Sequence, residues 1–376
     1  MFTLTMTSVS PQIRSPETVL DLEEDEKPTR PGLLFVTSNE TTLGSEQVDS
    51  EAVPRRKITI EEGLRPLLAS MKLFGLYFTR PSENKQSRRW NAHMIYAVSV
   101  VILLWVNALR VLSIFTHEDK FGMVLLTKLV ATTWFMQCAV SQTAFYTASF
   151  SGRLAVVFHQ VLDDSCARNA RKFSTFYTVV AWTVIVSGSA FFAYGFFSDM
   201  NMMDVMLAPF QVHIIVSHPL VLRIITSFIS VYCLSAYILS QVITFVLAMI
   251  FSHQFMKVRD SLRRCLDNHQ RQVSDQDIET LRQRHQEISM NVSNVDDSLM
   301  FSNASAFCCQ LFCLILLLYI LTFYHSLITD AVVVMSQVFW LLTVSIGLVL
   351  TAAGGIIVHH HVSLFTVSAV LTTILF

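Results

Sequence analysis

Long apolar runs, separated by short polar or basic stretches, set the pattern of the chain from residue 92 onward. Ala92 to Phe115, Phe121 to Phe150 and Phe173 to Phe197 each meet the ~20 apolar residues a helix needs to cross a bilayer's hydrocarbon core. A fourth run, Pro219 to about Ser252, is longer than a bilayer requires, so its far end is expected to project. Phe301 to Leu327 and Ala331 to Val358 make a fifth and a sixth. His359, His360 and His361 then interrupt the pattern, and Val362 to Phe376 is apolar but short of a full span. The predicted fold class is all-α: a polytopic transmembrane helical bundle of the seven-span type, its seventh helix short.

The stretch between runs four and five organises the rest. It is basic, with Lys257, Arg259, Arg263, Arg264, Arg271, Arg282 and Arg284, and it is also patterned. Phe255, Val258, Leu262, Cys265 and His269 step by three and four, as do Ile278, Leu281, His285, Ile288, Val292, Val295 and Leu299. That spacing places one apolar stripe on each of two helices. Ser274, with Asp277 three residues on, offers an N-cap for the second. Apolar stripes outside a membrane must be buried. The spacing therefore predicts a helical hairpin over 253–300 whose stripes pack against something, if only against each other.

The predicted organisation is a tail over 1–56, a juxtamembrane amphipathic segment over 57–91, spans one to four over 92–252, the hairpin over 253–300, spans five and six over 301–358, and a partial seventh helix over 362–376. Ser, Thr, Glu and Pro crowd the tail, which is expected to be disordered. Leu64, Leu67, Leu68, Met71 and Phe74, interrupted by Arg65 and Lys72, suit a helix lying at a membrane surface.

Composition agrees. Hydrophobic residues make up 52% of the chain and charged residues 15%, which no ordinary soluble domain shows. Basic residues gather before span one, between spans two and three, and between spans four and five, whereas the opposite loops hold only Lys120. Short basic loops stay on the cytoplasmic side. A multi-pass plasma-membrane protein with a cytoplasmic N-terminus is expected, and that orientation opposes the one of ordinary G-protein-coupled receptors. No phosphate loop, dinucleotide fingerprint, nucleophile elbow or zinc-protease helix occurs, so neither an enzyme nor a cofactor is expected. His359 to His361 are adjacent and diverge around a helix, which disfavours a metal site. Nothing points to nucleic acid.

Two groups of residues resemble the invertebrate gustatory receptor and gustatory-receptor-like family, relatives of the insect odorant receptors. One is the segment from Leu64 to Gly75 (LRPLLASMKLFG); the other is His285, Val292, Asn294, Phe301, Ser302 and Tyr319 at the entry to span five. The resemblance implies a tetrameric ligand-gated cation channel, formed with its own or other receptor subunits. Spans four to six would extend into a shared cytoplasmic anchor, and the seventh would line a central pore. The family's terminal signature is Thr-Tyr, several apolar residues, then Gln-Phe. It is met only in part by Thr372, Thr373 and Phe376, the candidate pore positions, because the Tyr and the Gln are missing.

Ionisable residues inside spans are costly enough to suggest function. Arg110, Lys128 and Arg223 fall in the outer parts of spans one, two and four. With Lys128 and Arg223, the candidate ligand-binding residues are Trp134, Tyr194, Tyr232, Gln337 and Trp340, since aromatic walls with a few polar groups suit a small molecule. Three readings remain open: a chemosensory channel subunit, an inverted seven-span receptor that signals through a cytoplasmic partner without conducting, and a transporter. The last would normally carry internal repeats and broken helices. Gly354-Gly355 is the sole in-span glycine pair, and no repeat is visible.

Overall fold

A computed structural model describes residues 58–78, 92–115, 122–197, 219–267, 275–323 and 331–375, the backbone alone for 219, 266–267, 275, 277, 331–333, 358–359 and 361–375. The expected tail, Ser274, His269 and Phe376 lie outside the described residues, as do the side chains of Thr372 and Thr373. The chain runs β1 (Ile58–Thr59), α1 (Ile60–Gly63), α2 (Arg65–Leu73), α3 (Ala92–Leu112), α4 (Met123–Phe150), α5 (Arg153–Phe158), β2 (Val161–Leu162), α6 (Asp164–Phe197), α7 (Pro219–Asp267), α8 (Asp275–Phe323) and α9 (Ala331–Leu375). Among the described residues, α3, α4, α6, α7, α8 and α9 are long and apolar enough to cross a membrane. The fold is an all-α transmembrane bundle.

α7 sits at its centre. Within the most apolar part of α7, 89% of residues are buried, against 22–56% in the other five long helices. Sequence explains the position: Thr226, Ser230, Ser235, Ser240 and Gln241 are all buried along the helix, and the exposed large apolar residues are confined to its first turns, at Leu220, Val221, Ile224, Ile225 and Phe228. Small and polar residues of this kind drive helices together in a membrane, where apolar surface alone does not. α6 and α9 pack along α7, and α4, α8 and α3 complete the ring.

Both α7 and α8 have 49 residues, about 74 Å at 1.5 Å per residue. They therefore outrun a ~30 Å hydrocarbon core and continue as a pair. Lys257, Arg259 and Arg263 on α7, Arg282 and Arg284 on α8, and Arg168, Arg171 and Lys172 on α6 collect at the same end, the basic end. There Asp163 Oδ2 accepts from Lys257 Nζ at 3.4 Å and from the Arg284 guanidinium, joining both long helices to the start of α6. Burial alone would raise the Asp163 carboxyl; Arg284 and Lys257 outweigh it and hold it below the usual carboxylate value.

The hairpin stripe is largely satisfied inside one chain. Phe255, Val258 and Leu262 are buried, as are Ile288 and Leu299, and Leu281, Val292 and Val295 pack against the same core. The His285 ring lies 5.4 Å from that of Phe255, and α8 also lies on α5. Ile278 is 37% exposed. Burial of the stripe thus does not by itself require a second copy.

Three further features differ from the sequence pattern. α6 starts at Asp164, ahead of the apolar run at Phe173, because Cys166, Ala167, Ala170 and Ser174 form a buried stripe while Arg168 and Arg171 stay outside it. α9 passes through His359 to His361 without a break. No Pro or Gly follows Gly355, so nothing in the sequence ends the helix there. The segment before span one packs into the protein: Leu64, Leu67, Leu68 and Met71 are buried, with α2 against α6 and β1 paired antiparallel to β2. Gly75 turns the chain toward α3 at φ 70, and a Cβ there would lie 3.3 Å from Ala97 Cα. Gln142 Nε2 fixes that turn by donating to Gly75 O at 2.8 Å.

Candidate ligand cavity

In the half of the bundle away from the basic residues, the N-terminal parts of α4 and α9 and the C-terminal parts of α6 and α8 line a cavity of about 50 Å³. Three aromatic rings make its floor and sides. Trp134 on α4 stacks on Phe192 of α6, with centroids 5.5 Å apart and planes at 21°. Trp340 on α9 meets Trp134 edge to face at 5.1 Å and Phe192 at 5.2 Å. Ala131, Leu317 and Val344 add apolar surface, and Thr127, Cys313, Ser336 and Gln337 are the polar groups. Among the described residues, no charged side chain lines the cavity.

Two of its polar atoms, Trp134 Nε1 and Thr127 Oγ1, are buried without a hydrogen-bond partner among the described residues. A buried donor left unmade is costly. The arrangement can therefore hold a small, uncharged, mostly apolar molecule that accepts one or two hydrogen bonds. Its present volume suits only a few non-hydrogen atoms; a larger guest requires one of the three rings to turn.

The structure brings together three of the candidate residues, Trp134, Gln337 and Trp340, from helices distant in sequence. It places the others elsewhere. Lys128 is buried on α4, beside Thr127 on the chain, and its Nζ donates to Ile114 O at 3.2 Å, just past the end of α3. A cation over the carbonyl end of a helix is favourable, so this side chain caps α3. Arg223 is half-buried near the start of α7 and is not a wall of the cavity. Tyr194 is 52% exposed on α6. Tyr232 lies toward the basic end: Tyr96 donates to Leu73 O at 2.6 Å, which leaves Tyr232 to donate to the Tyr96 oxygen at 3.2 Å.

Phe192 is the wall residue that pattern reading could have found. Ile185, Gly188, Phe192 and Phe196 recur at three and four residues and are the buried positions of α6, whereas Tyr194 falls on the other side. Thr127 and Cys313 carry no comparable signal, being ordinary small residues until three helices meet around them.

Below the cavity, toward the middle of the bundle, Gln241 and Tyr237 of α7 and Gln310 of α8 converge on Gly347 of α9. A Cβ on Gly347 would lie 3.0 Å from Gln310 Nε2 and 3.1 Å from the Tyr237 hydroxyl, and would collide with Gln241 Oε1. Glycine is what lets the three polar heads reach the α9 backbone.

No protein-family model matches the chain, and no curated protein matches it in sequence. Among solved structures, the insect olfactory receptor OR5 from Machilis hrabei is similar in fold, with a TM-score of 0.57 over 80% of this chain and 81% of that one, at 14% identity.

Proposed function

We propose that the chain is a chemosensory receptor subunit of gustatory type that acts as a ligand-gated cation channel in the plasma membrane. A small uncharged molecule binds among Trp134, Phe192, Gln337 and Trp340 and shifts α9, which carries two of those residues at one end and the partial pore segment at the other. The observation that carries the reading is the aromatic cavity itself, built from four helices in the half of the bundle away from the basic loops, in a bundle that shares the fold of an insect olfactory receptor.

Three further features support it. Short basic loops belong on the cytosolic side, which puts the N-terminal end inside and the cavity toward the outer leaflet. Ligand binding can move α9 only through differential affinity for two arrangements, and a cavity this small, walled by rings that can rotate, offers such a difference. Finally, Phe301 and Met300 on α8, and Ile346, Val349 and Ile356 on α9, are 58–72% exposed, leaving apolar surface for lipid and for neighbouring subunits of a homo- or hetero-tetramer.

The test is whole-cell recording of the chain, alone and with related subunits, against a tastant panel in cells without heterotrimeric G-protein signalling. Agonist-evoked cation current is expected. A response that needs a cytoplasmic partner and carries no current would replace the channel with an inverted-topology receptor, and substrate uptake without current would replace it with a transporter.

A further inference from the structure

A second and larger cavity, about 420 Å³, lies between α7, α8 and α9 on the basic-end side of the bundle. Its volume falls in the ~300–1,000 Å³ range of small-molecule sites, unlike that of the outer cavity. Leu247 and Phe251 of α7 and Val292 and Val295 of α8 give it an apolar wall, and Asp296 and Asn303 of α8 stand on the same wall. Among the described residues, Asp296 is its one carboxylate and no Lys, Arg or His lines it. The Lys and Arg nearest to it in sequence on α7 and α8, Lys257 and Arg284, are both held by Asp163.

The third wall is bare. Gly354 and Gly355 present backbone only; a Cβ on Gly354 would touch just Ala248 Cβ, at 3.6 Å, and one on Gly355 would meet nothing within 4 Å. From this geometry we infer a binding site for an amphiphilic amine. The ammonium sits against Asp296 and the Asn303 amide, and the apolar body lies between Phe251, Val292 and the glycine pair. A carboxylate or phosphate ligand would meet Asp296 as a like charge, and a neutral one could offer it a hydrogen bond but no opposite charge. The cavity opens where α8 passes from the charged hairpin into its apolar run at Phe301, the depth at which cationic amphiphiles concentrate in a leaflet. The site is independent of the outer cavity and of whether the chain conducts.

The experiment is saturation binding of tritiated propranolol, a naphthyl alkylamine, to the full-length protein in lipid nanodiscs, with empty nanodiscs subtracted. Saturable binding is expected, weakened at least about tenfold by Asp296→Asn and restored by Asp296→Glu. Gly355→Leu, whose Cβ meets nothing within 4 Å, is expected to abolish it, and Trp340→Ala, in the outer cavity, to leave it unchanged. An uncharged N-acylated derivative of the same probe should compete at least tenfold less well. Binding that never exceeds the empty-nanodisc level, that Asp296→Asn leaves intact, or that Trp340→Ala removes overturns the proposal. Elution volume and melting temperature of each variant separate loss of the site from loss of the fold.

Discussion

The indole of Trp134 on α4 meets that of Trp340 on α9 edge to face, with ring centres 5.1 Å apart, and Trp134 Nε1 has no hydrogen-bond partner among the described residues. Trp134→Phe keeps the apolar ring and deletes the donor. For an agonist that carries an acceptor, the loss of one neutral hydrogen bond of about 0.5–1.5 kcal/mol raises the half-maximal concentration roughly three- to tenfold. Surface expression should not change. Dose-response curves for wild type and variant check this, and identical curves would remove the indole N–H from recognition.

Lys128 gives a contrasting prediction. Because its Nζ caps the carbonyl end of α3 at Ile114 O, Lys128→Met should lower stability by about 1–2 kcal/mol, the range for a partly buried cation at a helix C-terminus. Agonist potency should stay within about threefold, less than one hydrogen bond's worth. Thermal melts in detergent, paired with dose-response curves, decide it. A shift in potency without a shift in melting temperature would make Lys128 a ligand contact instead of a cap.

The bundle is legible in the sequence because each span satisfies a length rule that needs no tertiary information. The hairpin stripe is legible for the same kind of reason: Phe255, Ile288 and Leu299 sit at helical spacing and are buried as that spacing requires. What the pattern cannot say is which neighbour covers the stripe, and here α5 and the facing helix do much of it. Trp134, Gln337 and Trp340 were readable as polar-aromatic residues in one half of their spans. Tyr232 was not readable as an inner residue, because its depth follows from the packing of α7 against Phe74 and Tyr96, which no periodicity encodes. Nor does a lone Lys in a span announce whether it faces a ligand or a helix end.

Gly347 is predicted to be intolerant of even one methyl group. Gly347→Ala forces the heads of Gln241, Gln310 and Tyr237 away from α9, an overpacking that costs roughly 1–3 kcal/mol. Gln241→Ala in the same chain removes the worst collision, so the double variant should recover at least about 1 kcal/mol relative to the sum of the single changes. A double-mutant cycle on melting temperature or denaturant midpoint measures the coupling. Strict additivity would mean that these residues do not meet in the folded protein.

The Asp163 clamp makes a prediction about pH. Its carboxyl is held below the unfolded value of about 3.9, so its contribution is complete above that value and disappears as pH falls through the lower, folded one. Between pH 5.5 and 8 the clamp is fully ionised. Asp163→Asn should therefore lower the melting temperature by the same amount at both ends of that interval, and by no more than about 2 °C, because the pair is exposed to solvent. Raised salt should shrink the difference. A deficit that changed between pH 8 and 5.5 would require a coupled group titrating in that interval, and His253, one turn from Lys257 and lowered by its own burial and then by that ammonium, is the imidazole placed to do it. Such a result would mean that the Arg284–Asp163–Lys257 triad is coupled to that imidazole through Lys257.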